Sequence, residues 1–178
     1  MTIRYAILGL LDQQPQTGYD LKKTFADSAI LHWSGNNNQV YTTLLQLNSE
    51  GLVEACLTES SAYPARKAYR ITPAGQAELQ HWLTSPPALP EMKNHFLVQF
   101  LFADRLLPDQ WIQILGRYEE ELRQALILQQ EQNRRNSAFA TNPSRQALFQ
   151  QLAAQNLVDH FTCELSWIDR VRQVLTGK

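Results

Sequence analysis

Cysteine is scarce: only Cys56 and Cys163 occur in 178 residues. They fall in different predicted domains with no ligand-like partner spacing, so a disulfide framework and a zinc ribbon are both excluded and two buried or idle thiols remain. The four histidines, His32, His81, His95 and His160, are scattered. None joins an HExxH or a Cys-x-x-Cys pattern, and there is no phosphate-cradling glycine loop, Gly9 and Gly18 standing in helical contexts. The run Glu119–Glu121 is acidic, but adjacent carboxylates on a helix point in different directions and form a solvated face. The expectation is a protein that is not an enzyme and carries no metal and no cofactor. No apolar run approaches the ~18 to 20 residues of a membrane span. The opening MTIRYAILGLLDQQ lacks a cleavage-site pattern. A cytoplasmic protein without membrane partners is expected. Excess positive charge is also missing. The net charge is −1, and residues 1–85 hold six Lys or Arg (Arg4, Lys22, Lys23, Arg66, Lys67, Arg70) against seven Asp or Glu. Global attraction to nucleic acid is thereby excluded, and any such binding must come from local arrangement.

What is present is concentrated between Asn36 and Thr72. Val40, Leu44 and Leu47 recur at helical spacing, with Asn37 or Asn38 as cap, while Asn38, Gln39, Thr42, Gln46 and Ser49 fall opposite them. Such amides and hydroxyls are the groups that read base edges. Gly51 follows Glu50 where a left-handed closing residue is favoured, with Leu52 folding back on the last turn. Two short strands come next, Leu52–Thr58 and Lys67–Thr72, joined by a connection of roughly eight residues. Its Tyr63, Pro64 and Arg66 are expected to project as a wing, with Lys67 and Arg70 beside it as phosphate partners.

Upstream, Ile3, Ala6, Ile7, Leu10 and Leu11 form a helical stripe that breaks around Pro15. Thr17 caps a second helix with Asp20 in its first turn and Leu21 and Phe25 inward. Downstream, Thr72-Pro73 opens a helix to about Leu83. The order helix, helix, helix, strand, strand, helix is that of a winged helix-turn-helix. These residues resemble PadR-type transcriptional regulators. ILGLL near the start, TGYDLKKTF of Thr17–Phe25 and QVYTTL of Gln39–Leu44 are similar to that family's first three helices. EGLV of Glu50–Val53 and ARKAYRITPAG of Ala65–Gly75 are similar to its wing and fourth helix. FLVQFLFADRLLPDQW of Phe96–Trp111, with a weaker echo in ELSWIDRV, resembles the C-terminal helices of the longer, virulence-activator-like branch. Departures exist: relatives often carry glycine at Asn38, proline at Thr42, basic residues around Leu45 and Gln46, and Gly-Arg-Pro where Ala62-Tyr63-Pro64 stands.

In the tail, Ser85-Pro86-Pro87 and Pro90 form a stiff break. Beyond it Trp111, Leu115, Tyr118, Leu122, Ala125 and Gln129 make one helical seam, and Phe161, Leu165, Ile168, Val171 and Leu175 another. Two such helices are expected to need a partner surface, with dimerisation through Phe96, Phe100, Leu115, Tyr118, Leu122, Phe161, Leu165 and Ile168. The alternative is a complete monomer packed internally.

The resulting expectation is a mainly α protein: residues 1–85 a DNA-binding winged helix of three helices, a two-stranded wing and a fourth helix, 86–91 a Pro-rich connection, and 92–178 a helical dimerisation domain. It acts as a homodimeric repressor on a pseudo-palindromic duplex operator. Base readers are Asn38, Gln39, Thr42, Thr43 and Gln46. Tyr19, Lys22, Lys23 and Tyr41 meet the backbone, Tyr41 also bridging to helix packing, and Tyr63, Arg66 and Lys67 serve the wing. The resemblance also implies control by a small effector of unknown identity, for which Trp33, Trp82 and His81 are a weak candidate pocket. A winged-helix protein-interaction module without DNA binding, and an effector sensor that has lost it, are the alternatives.

Overall fold

The structure is a computed structural model. It describes residues 2–28, 30–31, 38–60, 63–90, 94–137 and 144–177, and of residues 2, 58–60, 63–66 and 136–137 the backbone alone. By its internal contacts the chain divides into two compact units, Met1–Leu89 and Pro90–Lys178.

In the first unit α1 (Thr2–Gln13) buries Ile3, Ile7 and Leu11 of the stripe read from the sequence, with Leu8 added and Ala6 and Leu10 half-buried against the core. A two-residue strand β1 (Gln16–Thr17) leads into α2 (Gly18–Asp27). Thr17 caps α2 reciprocally with Asp20: the Asp20 N–H donates to Thr17 Oγ1 at 3.1 Å and the Thr17 N–H donates to Asp20 Oδ2 at 3.1 Å. Helix α3 (Asn38–Ser49) buries Val40, Leu44 and Leu47 against α1 and α2. Gly51, at φ 72°, closes it. The Leu52 N–H reaches back to the Leu47 carbonyl at 3.0 Å, and that of Gly51 to Asn48 at 3.1 Å. This is the left-handed stop anticipated from Glu50-Gly51-Leu52.

Strands β2 (Val53–Ser60) and β3 (Tyr63–Ile71) follow, with sheet order β1-β3-β2, all antiparallel. Two features differ from the sequence expectation. The sheet has three strands, because Gln16 and Thr17 pair with Tyr69 and Ala68. The long wing loop is replaced by ladder: pairing continues past Thr58↔Arg66, through a register shift, to Ser60↔Tyr63. Backbone hydrogen bonds need no apolar alternation, so the extension is silent in the side-chain pattern. Pro64 lies near the start of β3, where β1 is not alongside and a proline is tolerated.

Helix α4 (Pro73–Thr84) begins from Thr72, whose Oγ1 accepts the Gly75 N–H at 3.1 Å and donates to the Gly51 carbonyl at 2.7 Å. One hydroxyl thus ties the start of α4 to the stop of α3. Trp82 on α4 stacks flat on Tyr5 of α1, ring centroids 4.6 Å apart.

The second unit contains α5 (His95–Leu101), a single 3-10 turn (Ala103–Arg105), α6 (Pro108–Ser137) and α7 (Arg145–Thr176). Its core is Phe96, Leu115, Leu122 and Ile168, with Phe100, Trp111, Tyr118, Phe161, Leu165, Trp167 and Val171 packed around it. Within one chain the tail seams pack on each other. All eight residues assigned to dimerisation lie in or against this unit's own core. Spacing by threes and fours suits any facing helix, and here α6 and α7 face each other. The exposed apolar groups lie elsewhere, among them Ile127 and Leu128 on α6 and Leu148, Phe149 and Leu152 on α7. Among the described residues no helix is long and apolar enough to cross a membrane.

Candidate nucleic-acid interface

Asn38, Thr42 and Gln46 recur every fourth residue along α3, and all three are exposed. They form the outward face opposite Val40, Leu44 and Leu47. Gln39 and Thr43, also expected to read bases, are half-buried on the flank. The polar groups are partly committed. Thr42 Oγ1 donates to the Asn38 carbonyl at 2.9 Å, leaving its methyl and lone pairs outward, and Ser49 Oγ donates to the Gln46 carbonyl at 2.8 Å. The Gln46 amide donates to Glu50 Oε1 at 2.9 Å.

Two residues of this surface escaped the sequence reading. Leu45 is 60% exposed among polar neighbours and is suited to the methyl of a thymine. Glu50 was read only as the residue before the stop. The i, i+4 spacing of Gln46 and Glu50 on one helix was the available signal.

Tyr41 packs against the first turn of α2. A Cβ built on Gly18 would stand 2.6 Å from Tyr41 Cε1, so glycine is what lets the ring settle there. Tyr41 as a whole remains 41% exposed. Tyr19 at the head of α2 is largely exposed, Lys23 is exposed and Lys22 half-buried. The α2 N-terminus itself offers a phosphate little, because Thr17 and the Asp20 carboxylate already take its capping bonds.

Cations are fewer than the sequence suggested. Arg4 is bound to Glu50 at 2.5 Å, and Arg70 pairs across the ladder with Glu54 at 2.8 Å. The Glu50 carboxyl is held below the usual carboxylate range by the hydrogen bond from Arg4 and, next, by that from Gln46. Lys22, Lys23 and Lys67 make no ion pair among the described residues, Lys67 lying 5.3 Å from the Tyr69 ring centroid. The side chains of Tyr63 and Arg66, together with Trp33, Asn36 and Asn37, fall outside the described residues. Of the weak pocket candidate, Trp82 is engaged with Tyr5 and His81 is exposed.

The second unit has a cleft of about 940 Å³ floored by Phe96, Tyr118, Leu122 and Phe161 and edged by His95, Arg117 and His160. At its back Asn94 Nδ2 donates to the Tyr118 hydroxyl at 3.1 Å, which donates to Glu164 Oε2 at 3.0 Å. Burial raises the Tyr118 phenol above its ordinary pKa; Asn94 opposes this and Glu164 reinforces it. Asn94 Oδ1 meanwhile caps α5, accepting from Phe96 and Leu97.

Known proteins share this architecture. The chain is 33% identical over 101 residues to the negative transcriptional regulator PadR of Bacillus subtilis, a match covering 56% of each chain, so it spans little more than half of that relative's length. The crystal structure of Bacillus subtilis PadR in complex with operator DNA superposes with a TM-score of 0.86 at 23% identity, covering 98% of this chain and 99% of that one. The same protein in complex with p-coumaric acid gives 0.82 at 23%, over 98% and 95%. The Vibrio cholerae virulence activator AphA gives 0.76 at 25%, over 98% of each chain. The model of the transcriptional regulator PadR-like family matches residues 7–81, and that of the virulence activator alpha C-terminal domain matches residues 92–176. With its winged head and its helical tail each so accounted for, the chain belongs to the PadR-like family of transcriptional regulators, in the longer branch that carries the virulence-activator type of C-terminal domain.

Proposed function

We propose that this protein is a transcriptional repressor that binds a pseudo-palindromic duplex operator as a homodimer and is released by a small molecule. The observation that carries the reading is the exposed Asn38-Thr42-Gln46 face of α3, with Lys22 and Lys23 on α2 and Lys67 on the wing strand in no ion pair among the described residues. Amides in the major groove supply base preference, while lysines on phosphate supply most of the affinity. A two-fold pair would present two α3 helices about 34–36 Å apart, to successive major grooves on one side of the duplex. The exposed apolar groups of the second unit, Phe149 and Leu152 on α7 and Ile127 and Leu128 on α6, support such pairing. The aromatic cleft, with Arg117 at its edge in no ion pair among the described residues, supports the effector, as does the relative crystallised with p-coumaric acid. Repression accords with the name of the negative regulator that this chain resembles.

Binding to the DNA upstream of its own coding region, followed by anisotropy over a salt series, tests the reading. Three or four neutralised phosphates per subunit give a log-log slope of about −5 to −7 for the dimer. A slope near zero refutes it. One observation favours a second reading: α3 exposes no lysine or arginine and the chain's net charge is −1, as a protein-binding winged helix would allow. Absence of binding to every duplex at low salt would select that reading.

A further inference from the structure

At the C-terminal end of α3 one carboxylate serves two helices. Glu50 Oε2 takes the guanidinium of Arg4 from α1 at 2.5 Å, while Glu50 Oε1 takes the Gln46 amide N–H at 2.9 Å. A carboxylate only accepts, so the Gln46 amide has one orientation that satisfies this bond. Its NH₂ turns toward Glu50, and its carbonyl oxygen with the second N–H is left for a partner. That remaining edge, one acceptor beside one donor, is what adenine N6 and N7 require; guanine O6 and N7 offer two acceptors and match only one half of it. An unrestrained glutamine flips at little cost and discriminates less. Arg4 has a second consequence. A carboxylate at the end of a groove-binding helix repels the duplex, and its pairing with Arg4 offsets that charge.

We propose that Glu50, clamped by Arg4, is a specificity-determining positioning residue: it holds the Gln46 amide so that α3 selects adenine over guanine at one step of each operator half-site. The inference rests on the DNA-binding reading above. It deepens that reading by assigning sequence preference to a residue that need not touch a base, and by giving Arg4 a role unlike that of the free lysines.

The test is selection of bound duplexes from a randomised pool by the full chain. Competition titrations then follow, with each base pair of the selected half-site permuted, for the wild type, Glu50→Gln, Arg4→Met, the double variant and Gln46→Ala. Wild type should favour adenine at one position by about 5- to 150-fold, the range a good bidentate pair supplies. Glu50→Gln, near-isosteric at an exposed position, should reduce that preference to within about threefold, as Gln46→Ala does. Arg4→Met should weaken all sequences together, and the double variant should recover that loss. Circular dichroism of each variant confirms that the fold is retained. If Glu50→Gln leaves the preference intact while Gln46→Ala abolishes it, the inference is overturned and the DNA-binding reading stands. If the wild-type chain selects no duplex, both fall together.

Discussion

Replacing Gly75 by alanine tests whether α4 fixes the place where α3 ends. A Cβ at Gly75 would stand 2.1 Å from the Leu52 carbonyl oxygen and 2.7 Å from Ile71 Cγ1. That carbonyl belongs to the backbone just after Gly51, and it accepts the Thr72 N–H at 3.0 Å. It cannot swing aside as a side chain does. Three effects compete. Alanine gains about 1 kcal/mol in helix propensity, overpacking costs about 1–3 kcal/mol, and weakening the Leu52–Thr72 bond costs about 1 kcal/mol. The balance is a loss of about 1–3 kcal/mol, a fall of roughly 4–20 °C in the midpoint of a unit this size. Calorimetry of the full chain, following the transition of residues 1–89, measures it. The control is Gly116→Ala in α6, where a Cβ meets nothing within 4 Å. There the propensity gain stands alone, and stability should rise by about 0.5–1 kcal/mol. If Gly75→Ala left the midpoint unchanged or raised it while Gly116→Ala behaved as stated, the close approach of α4 to the α3 stop would be refuted.

Lys23→Ala should weaken binding to all duplexes alike and make the dimer's salt slope shallower by about 2, while Gln46→Ala relaxes sequence preference; anisotropy with matched and mismatched duplexes compares them, and equal behaviour would contradict their separate roles. Glu119 joins α6 to α7, accepting from Arg172 and, at 2.6 Å, from Arg123, and these bonds hold its carboxyl below the usual range, Arg172 contributing most. A carboxyl lowered in the folded state stabilises fully above its ordinary pKa and loses that contribution as pH falls through the lowered value. Acid unfolding below about pH 4 should therefore flatten in Glu119→Gln, whereas an unchanged acid limb would deny the bridge a role. Phe149→Glu should shift sedimentation toward a monomer without altering far-ultraviolet dichroism, whereas Leu115→Ala, in the unit's own core, should cost about 2–5 kcal/mol of stability at unchanged association.

What was legible in the sequence was what short-range chemistry determines. Thr17 with Asp20, Thr72 with Pro73, and Glu50-Gly51-Leu52 each specify a helix end within four residues, and each stands where it was expected. Strand β1 carries two residues, too few for any period, and exists because Tyr69 and Ala68 lie alongside. The tail was legible only in part: a stripe of large apolar groups states that a helix will be covered, and says nothing about whether the cover comes from its own chain, as it does here for Leu115 and Ile168. In the interface, exposure along α3 followed from the positions of Val40, Leu44 and Leu47. The loss of Arg4 and Arg70 to carboxylates did not, since Arg4 meets Glu50 only after α1 packs on α3.

Strand β3 passes from the wing tip to the edge of β1, and its two ends differ in how much they tolerate a change of length. Near the tip the ladder already absorbs a register shift between Thr58 and Ser60. At the other end Ala68 is sealed completely, with exposed Lys67 directly before it. Insertion of one residue between Lys67 and Ala68, with the downstream pairing kept, would leave the anchored half intact and rotate every upstream side chain to the opposite face; a slip the other way would drive the lysine into the sealed place of Ala68. The wing can therefore diverge in reach among descendants of this gene while the root of the strand stays fixed in length.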